Sequence, residues 1–227
     1  MVSAKLLLWL STALSASAGV VSERANACST YTIIDTRGTG EVQGESSGFR
    51  TMNANIRSQV SGGQTYNTVY AADASQNSAA GTADIVREIN AVLAQRPNEC
   101  FILENPLVPE TSADWCHPND LEITGAAFTA VRGVFLIGDP EHRSGLACNV
   151  DQNGGTTTKN VNGLSAALGG IPSNWISKTL DVCNYGDGVC DTTHGYGINA
   201  QHLAYPTSTS VQNLGTQFVV GKLRGTS

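Results

Sequence analysis

The sequence predicts an α/β fold: a mostly parallel, doubly wound sheet of five strands with helices on both faces. Two observations carry it. β-rich runs alternate along the chain with segments whose apolar residues recur at helical spacing, an alternation that implies a parallel sheet covered on both sides. The chain has 227 residues, 41% hydrophobic and 14% charged, enough for one well-buried domain, and no shift in composition marks a second.

The elements follow in order. Residues 1–18 carry Lys5, the apolar run Leu6 to Leu10 and the small-residue pattern Ala16-Ser17-Ala18, which reads as a secretory signal peptide. Ala25-Asn26-Ala27, just before Cys28, suggests a short propeptide over 19–27, leaving 28–227 as the domain. The apolar run is far short of the ~20 residues a membrane span needs, and no later run is long enough. "YTIIDTRG" (31–38) is the first strand. "SSGFRTMNANIRSQV" is an amphipathic helix with Phe49, Met52, Ile56 and Val60 on one face and Ser46 or Ser47 as N-cap. "TYNTVYAA" (65–72) alternates as a second strand, and the next helix aligns Ile85, Ile89, Val92 and Leu93 before Pro97. "ECFIL" (99–103), "VRGVFLIG" (131–138) and "SKTLDVCNY" (177–185) complete the strands, and Val211, Leu214 and Phe218 mark a closing helix. The Gly/Asn/Thr-rich stretch from Asn149 to Gly170 reads as a surface excursion. In such a sheet the ligand site lies at the carboxyl ends of the strands.

A net charge of −6 without a basic cluster argues against nucleic acid as a partner. Six cysteines in a chain headed by a signal peptide favour disulfides over metal ligation. Cys183 and Cys190 are close enough to clip a turn, and Cys28 is placed to fasten the mature N-terminus. No CxxC pair occurs, and the adjacent Cys116-His117 does not have metal-ligand spacing, so no metal is expected.

One constellation carries chemistry. "CNYGDGVCDTTHGYGINAQHLAYP" places Asp187 inside the Cys183 to Cys190 clip and His202 in the loop before the last helix. In a hydrolase triad the acid fixes the tautomer of the histidine and stabilises the imidazolium that forms in the transition state. The plainer reading is an Asp closing a turn beside Gly188 and a surface His.

"DTRGTGE", "GFRTMN", "YNTVY", "SQNSAAGTADI", "GVFLIG", "NVDQNGGTTTKNVNGLS" and "KTLDVCNYGDGVCDTTHGYGINAQHL" together resemble the fungal cutinase family, especially its cutinase-like lipid and polyester esterases. The resemblance spans nearly all of the mature chain except residues 104–123. It implies a small, lidless α/β-hydrolase: a secreted, extracellular serine esterase acting as a monomer on cutin, short-chain acyl esters or polyesters without a cofactor. By motif, Asp187 matches the triad acid, His202 the general base and Thr39, in "TRGTG", the oxyanion donor on the loop after the first strand. The family disulfides map to Cys28 with Cys100 and to Cys183 with Cys190. An acetylxylan esterase of the same broad superfamily is the neighbouring alternative.

The resemblance stops where the nucleophile belongs. Relatives follow the strand matching "CFIL" with a G-x-S-x-G elbow; here "ENPLVPETSADWCHPND" follows, with prolines and acids that cannot make so sharp a turn. Ser112 lies in the right interval but has no glycine within two residues. Gly44-Glu45-Ser46-Ser47-Gly48 matches the pattern literally, yet Ser46 sits well beyond the first strand, where capping a helix is the better role. Cys116 is a third candidate, although pairing with Cys148 suits it better. A mis-joined exon or frame slip over 104–123 explains the break, since the match resumes at "LEITGAAFTAVRGVFLIG". The rival is a catalytically dead fold that binds lipid or polymer surfaces.

Overall fold

A computed structural model describes residues 27–73, 79–105 and 123–226. The signal segment, the candidates Ser112 and Cys116, and most of the 104–123 interval lie outside the described residues. Six strands form one sheet: β1 (Tyr31–Asp35), β2 (Gly63–Asn67), β3 (Cys100–Asn105), β4 (Val131–Ile137), β5 (Asn149–Asp151) and β6 (Thr179–Cys183). Their order is β2-β1-β3-β4-β6-β5, and every neighbouring pair is parallel. The helices are α1 (Arg50–Gln59), α2 (Ala79–Gln95), α3 (Gly125–Ala130) and α4 (Thr209–Arg224).

Alternate residues of β1, β3 and β4 feed two cores. Tyr31, Ile33, Ile102, Phe135 and Ile137 pack with Met52 and Ile56 of α1 and Val211, Val219 and Leu223 of α4. Ile34, Phe101, Leu103, Val134 and Leu136 pack on the other face with Ile85, Ile89 and Val92 of α2 and Ala127 of α3. The period of two along each strand divides the side chains in this way. α4 approaches α1 closely at Gly215, where an added Cβ would stand 2.1 Å from Met52 Sδ and 2.7 Å from Phe135 Cζ. Two disulfides fasten the frame, Cys28–Cys100 and Cys183–Cys190. The first closes a loop 72 residues long and the second one of 7. In the chain-entropy model that is worth about 4 and about 2.5 kcal/mol respectively. Cys148 is buried and has no disulfide among the described residues.

Four expectations are corrected. The sheet has a sixth strand, because Asn149–Asp151, inside the expected surface excursion, pairs with β6; three residues are too few to show a period. The second strand ends at Asn67 rather than Ala72. Arg37 draws the chain off the sheet there by donating to the carbonyls of Thr68 and Tyr70. Neither Ser46 nor Ser47 caps α1: Phe49 occupies the N-cap, and the Ser46 carbonyl instead accepts from the Phe49 and Arg50 amides. The last strand starts at Thr179, after a 3₁₀ turn over Ile176–Lys178.

Candidate active site

The site forms at the carboxyl ends of β1, β4 and β6. Past β6 the Cys183–Cys190 disulfide brackets a tight loop in which Asp187 is fully buried. Asp187 Oδ1 accepts from the Val189 amide at 2.9 Å and from His202 Nδ1 at 3.0 Å. Oδ2 accepts from His202 Nδ1 at 3.0 Å and from the Tyr205 hydroxyl at 2.7 Å. Both partners come from one 3₁₀ segment, His202–Thr207, whose first amide donates to Asn199 Oδ1 at 3.0 Å. With Nδ1 committed to the carboxylate, the neutral imidazole keeps Nε2 as its proton acceptor. No hydrogen bond engages that atom among the described residues.

Gly138, at the end of β4, has φ +62° and lies against the imidazole; an added Cβ would be 2.8 Å from His202 Cε1. Only glycine combines that conformation with that clearance. Tyr205 was not anticipated from the sequence. Burial, followed by the neighbouring Asp187 charge, raises its phenol well above its ordinary pKa, so it stays a neutral donor to the acid. Its oxygen also accepts from the Asn184 amide at 3.0 Å.

Across the cavity stands the loop after β1. Thr39 and Ser46 join His202, Leu203 and Tyr205 around a cavity of about 150 Å³. Glu41 holds this loop together: it accepts from the Gly38 amide at 2.7 Å, the Ser46 hydroxyl at 2.9 Å and the Ser47 amide at 2.8 Å. Burial favours its protonated form, but these bonds outweigh burial and its pKa is lowered. Arg37 braces the loop from behind, donating to the Glu41 carbonyl at 3.0 Å and to Gln43 Oε1 at 2.7 Å while lying over the Tyr70 ring. Ser46 therefore shares the cavity with His202, yet its hydroxyl is bound to Glu41 and accepts from the Gly48 amide at 3.2 Å. It is not poised on the imidazole.

Under the loop, β1 and β3 bring Asp35 and Glu104 into register. Both are fully buried, and Asn53 Nδ2 reaches Glu104 Oε2 at 3.0 Å and Asp35 Oδ2 at 3.5 Å. The Ser46 amide adds a bond to Asp35 at 3.1 Å, while Glu104 Oε1 has no hydrogen-bond partner among the described residues. Burial first, with the nearby acids, pushes Asp35 up to about 7, and burial and Asp35 together push Glu104 well up. No group of His, Cys, Asp and Glu among the described residues could hold a metal ion.

The family described as Cutinase matches residues 27–223 of the chain. A solved structure of a cutinase-like protein from Cryptococcus sp. is 60% identical, with a TM-score of 0.82 over 89% of this chain and 100% of that one. Two less similar structures are each 20% identical. The catalytic core domain of acetyl xylan esterase from Trichoderma reesei has a TM-score of 0.63 over 86% of this chain and 100% of that one. Trichoderma reesei cutinase in complex with a phosphonate inhibitor has a TM-score of 0.56 over 87% and 78%. A search of curated proteins returns no match.

Proposed function

The chain belongs to the cutinase family, by kinship a carboxylic ester hydrolase, and from that premise we propose a secreted serine esterase with Asp187 and His202 as acid and base and Thr39 as oxyanion donor. The observation that carries the proposal is the buried carboxylate–imidazole pair beside a cavity that Thr39 also lines. The substrates are esters of cutin, short acyl chains or polyesters. His202 takes the proton of a serine as that serine attacks the ester carbonyl, Asp187 stabilises the imidazolium, and the proton passes to the departing alcohol. Water repeats the sequence on the acyl-enzyme.

The serine belongs at the carboxyl end of β3, where the chain as written runs Glu104-Asn105-Pro106. Glu104, a buried carboxyl facing Asp35 with one oxygen unbonded among the described residues, supports the reading that the sequence departs from the functional one at this point. Half-satisfied buried carboxyls are costly, and a glycine there would bring none. Sequencing the spliced transcript across codons 95–130, with an assay of p-nitrophenyl butyrate hydrolysis by its product, tests the proposal. A Gly-x-Ser-x-Gly elbow and turnover that disappears in His202→Ala support it; an elbow without turnover refutes it. If the transcript encodes the interval as written and the folded chain adsorbs to polyester without hydrolysing it, the binding protein is the correct reading. The exposed apolar side chains Ile198 and Leu203, beside His202 in sequence, favour that second reading.

A further inference from the structure

A second carboxylate–imidazole–hydroxyl chain lies on the outside of the loop that carries Asp187. Asp191 is fully buried and accepts from the Gly186 amide at 2.9 Å, the Thr193 amide at 3.2 Å and the Thr193 hydroxyl. His194, exposed on the surface, directs Nδ1 at Asp191 Oδ2, 3.2 Å away, and at Thr193 Oγ1, 2.8 Å away. Thr193 gives its own proton to Asp191, so both of these oxygens are acceptors and Nδ1 carries the imidazole proton. Nε2 is then a base, and it lies 2.6 Å from the Tyr185 hydroxyl, which donates to it. The two ring centroids are 4.4 Å apart with the planes tilted by 59°, and Tyr185 is 49% exposed. Burial raises the pKa of Asp191, but the bonds from Thr193 and Gly186 outweigh burial and keep it ionised.

We infer that Tyr185 is a second nucleophile of this protein, an acyl acceptor for activated aryl esters that works through His194 and Asp191, independently of Asp187 and His202. The Tyr185 oxygen bonds to the acyl carbon as its proton moves to His194 Nε2. Asp191 stabilises the imidazolium. The bond from the acyl carbon to the aryl oxygen breaks, and the departing phenolate takes the proton from His194, leaving an aryl ester on Tyr185. Water, deprotonated by the same Nε2, later releases the carboxylic acid and restores the phenol. The adjacent Gly186 amide is engaged by Asp191 rather than open to an oxyanion, so acylation is not followed by rapid turnover.

The protein supplies its own control. Tyr196 is 83% exposed and carries no hydrogen bond from histidine among the described residues. The full chain is exposed briefly to p-nitrophenyl acetate, quenched in acid, digested and mapped by mass spectrometry. Acetyl on Tyr185 at least about tenfold above that on Tyr196, falling to the Tyr196 level in His194→Gln, is the expected result. Equal acetylation of the two tyrosines, or modification of Tyr196 alone, overturns the inference, and that comparison needs only the unmutated protein. Tyr185→Phe should remove this adduct without touching any hydrolysis that depends on His202. Failure of one site therefore leaves the other tested separately.

Discussion

Asp187 holds a histidine and a tyrosine from the same 3₁₀ segment, so the acid orients the base and anchors the turn that carries it. Tyr205→Phe removes one donor from a fully buried carboxylate and leaves the Asn184 amide without its acceptor. Unsatisfied buried polar groups cost about 1–3 kcal/mol, so urea denaturation should show a loss of that size. An unchanged midpoint would mean that the hydroxyl contributes nothing to fixing Asp187. Asp187→Asn separates geometry from charge: the amide can still occupy the site but cannot stabilise an imidazolium. In any form of the chain that hydrolyses esters, kcat should fall by about 10⁴-fold with the fold intact. A loss of less than about tenfold would remove Asp187 from the proposed mechanism.

At the scale of the element, β3 is where apolar patterning and charge conflict. Cys100 to Leu103 are buried as a central strand should be, and the next side chain, Glu104, enters the same interior beside Asp35. Both carboxyls have folded pKa values above their ordinary ones, Asp35 rising from 3.8 to about 7. A folded state that holds a proton more tightly than the unfolded chain has its full stability below the unfolded pKa and loses it as pH rises through the folded value. This pair therefore withdraws stability from about pH 4 to about pH 7 for Asp35 and further up for Glu104. Glu104→Gln should raise the thermal midpoint at pH 8 and flatten that decline; a lower midpoint at pH 8 would show that the pair is compensated. The sequence revealed β3 and β4 because they are short, nearly unbroken apolar runs, and the faces of α1, α2 and α4 because their apolar residues keep the helical period. β5 was hidden because three residues have no period, and the end of β2 because Arg37, thirty residues earlier in the chain, fixes it. Asp187 and His202 were legible from their disulfide-bounded spacing and motif, whereas Tyr205 acts through contacts with Asp187 and Asn184 that no local pattern encodes. Ser46 was misassigned as a cap because capping depends on backbone geometry, which places Phe49 at that position.

Across the whole molecule, stability against pH is set by ionisable groups in separate regions of the fold. Glu41, Asp151 and Asp191 have lowered pKa values: burial opposes the shift, but hydrogen bonds from backbone and hydroxyl groups outweigh it. They add stability above their unfolded values and lose it in acid, which sets the acid limb. The alkaline limb is shared by the Asp35–Glu104 pair and by His142, fully buried on the segment between β4 and β5. Its Nδ1 meets Asp181 Oδ2 at 2.6 Å and its Nε2 meets the Thr158 carbonyl at 2.9 Å. A carbonyl can only accept, so Nε2 donates; an ionised Asp181 also accepts, and the ring is an imidazolium. Burial would lower its pKa, but the charge and hydrogen bond of Asp181, the Thr158 carbonyl and the charge of Asp139 raise it from 6.5 to about 9. Glu141 and the Cys148 thiol complete the titratable groups around this cluster, and burial with Asp181 pushes that thiol up to about 12, so it remains neutral across the range. The stability that His142 supplies is thus complete below pH 6.5 and lost between there and about pH 9. The size is roughly 3 kcal/mol from the linkage of one proton over that interval. Calorimetry from pH 5 to 10 should place the highest midpoint on the acid side of neutrality and show a fall centred between pH 7 and 9. His142→Gln, which keeps a donor for Asp181 but cannot titrate, should be less stable at pH 6 and show a shallower fall. A parent midpoint that stays level from pH 6.5 to 9, or a variant that keeps the same fall, would mean that His142 is neutral in the folded protein.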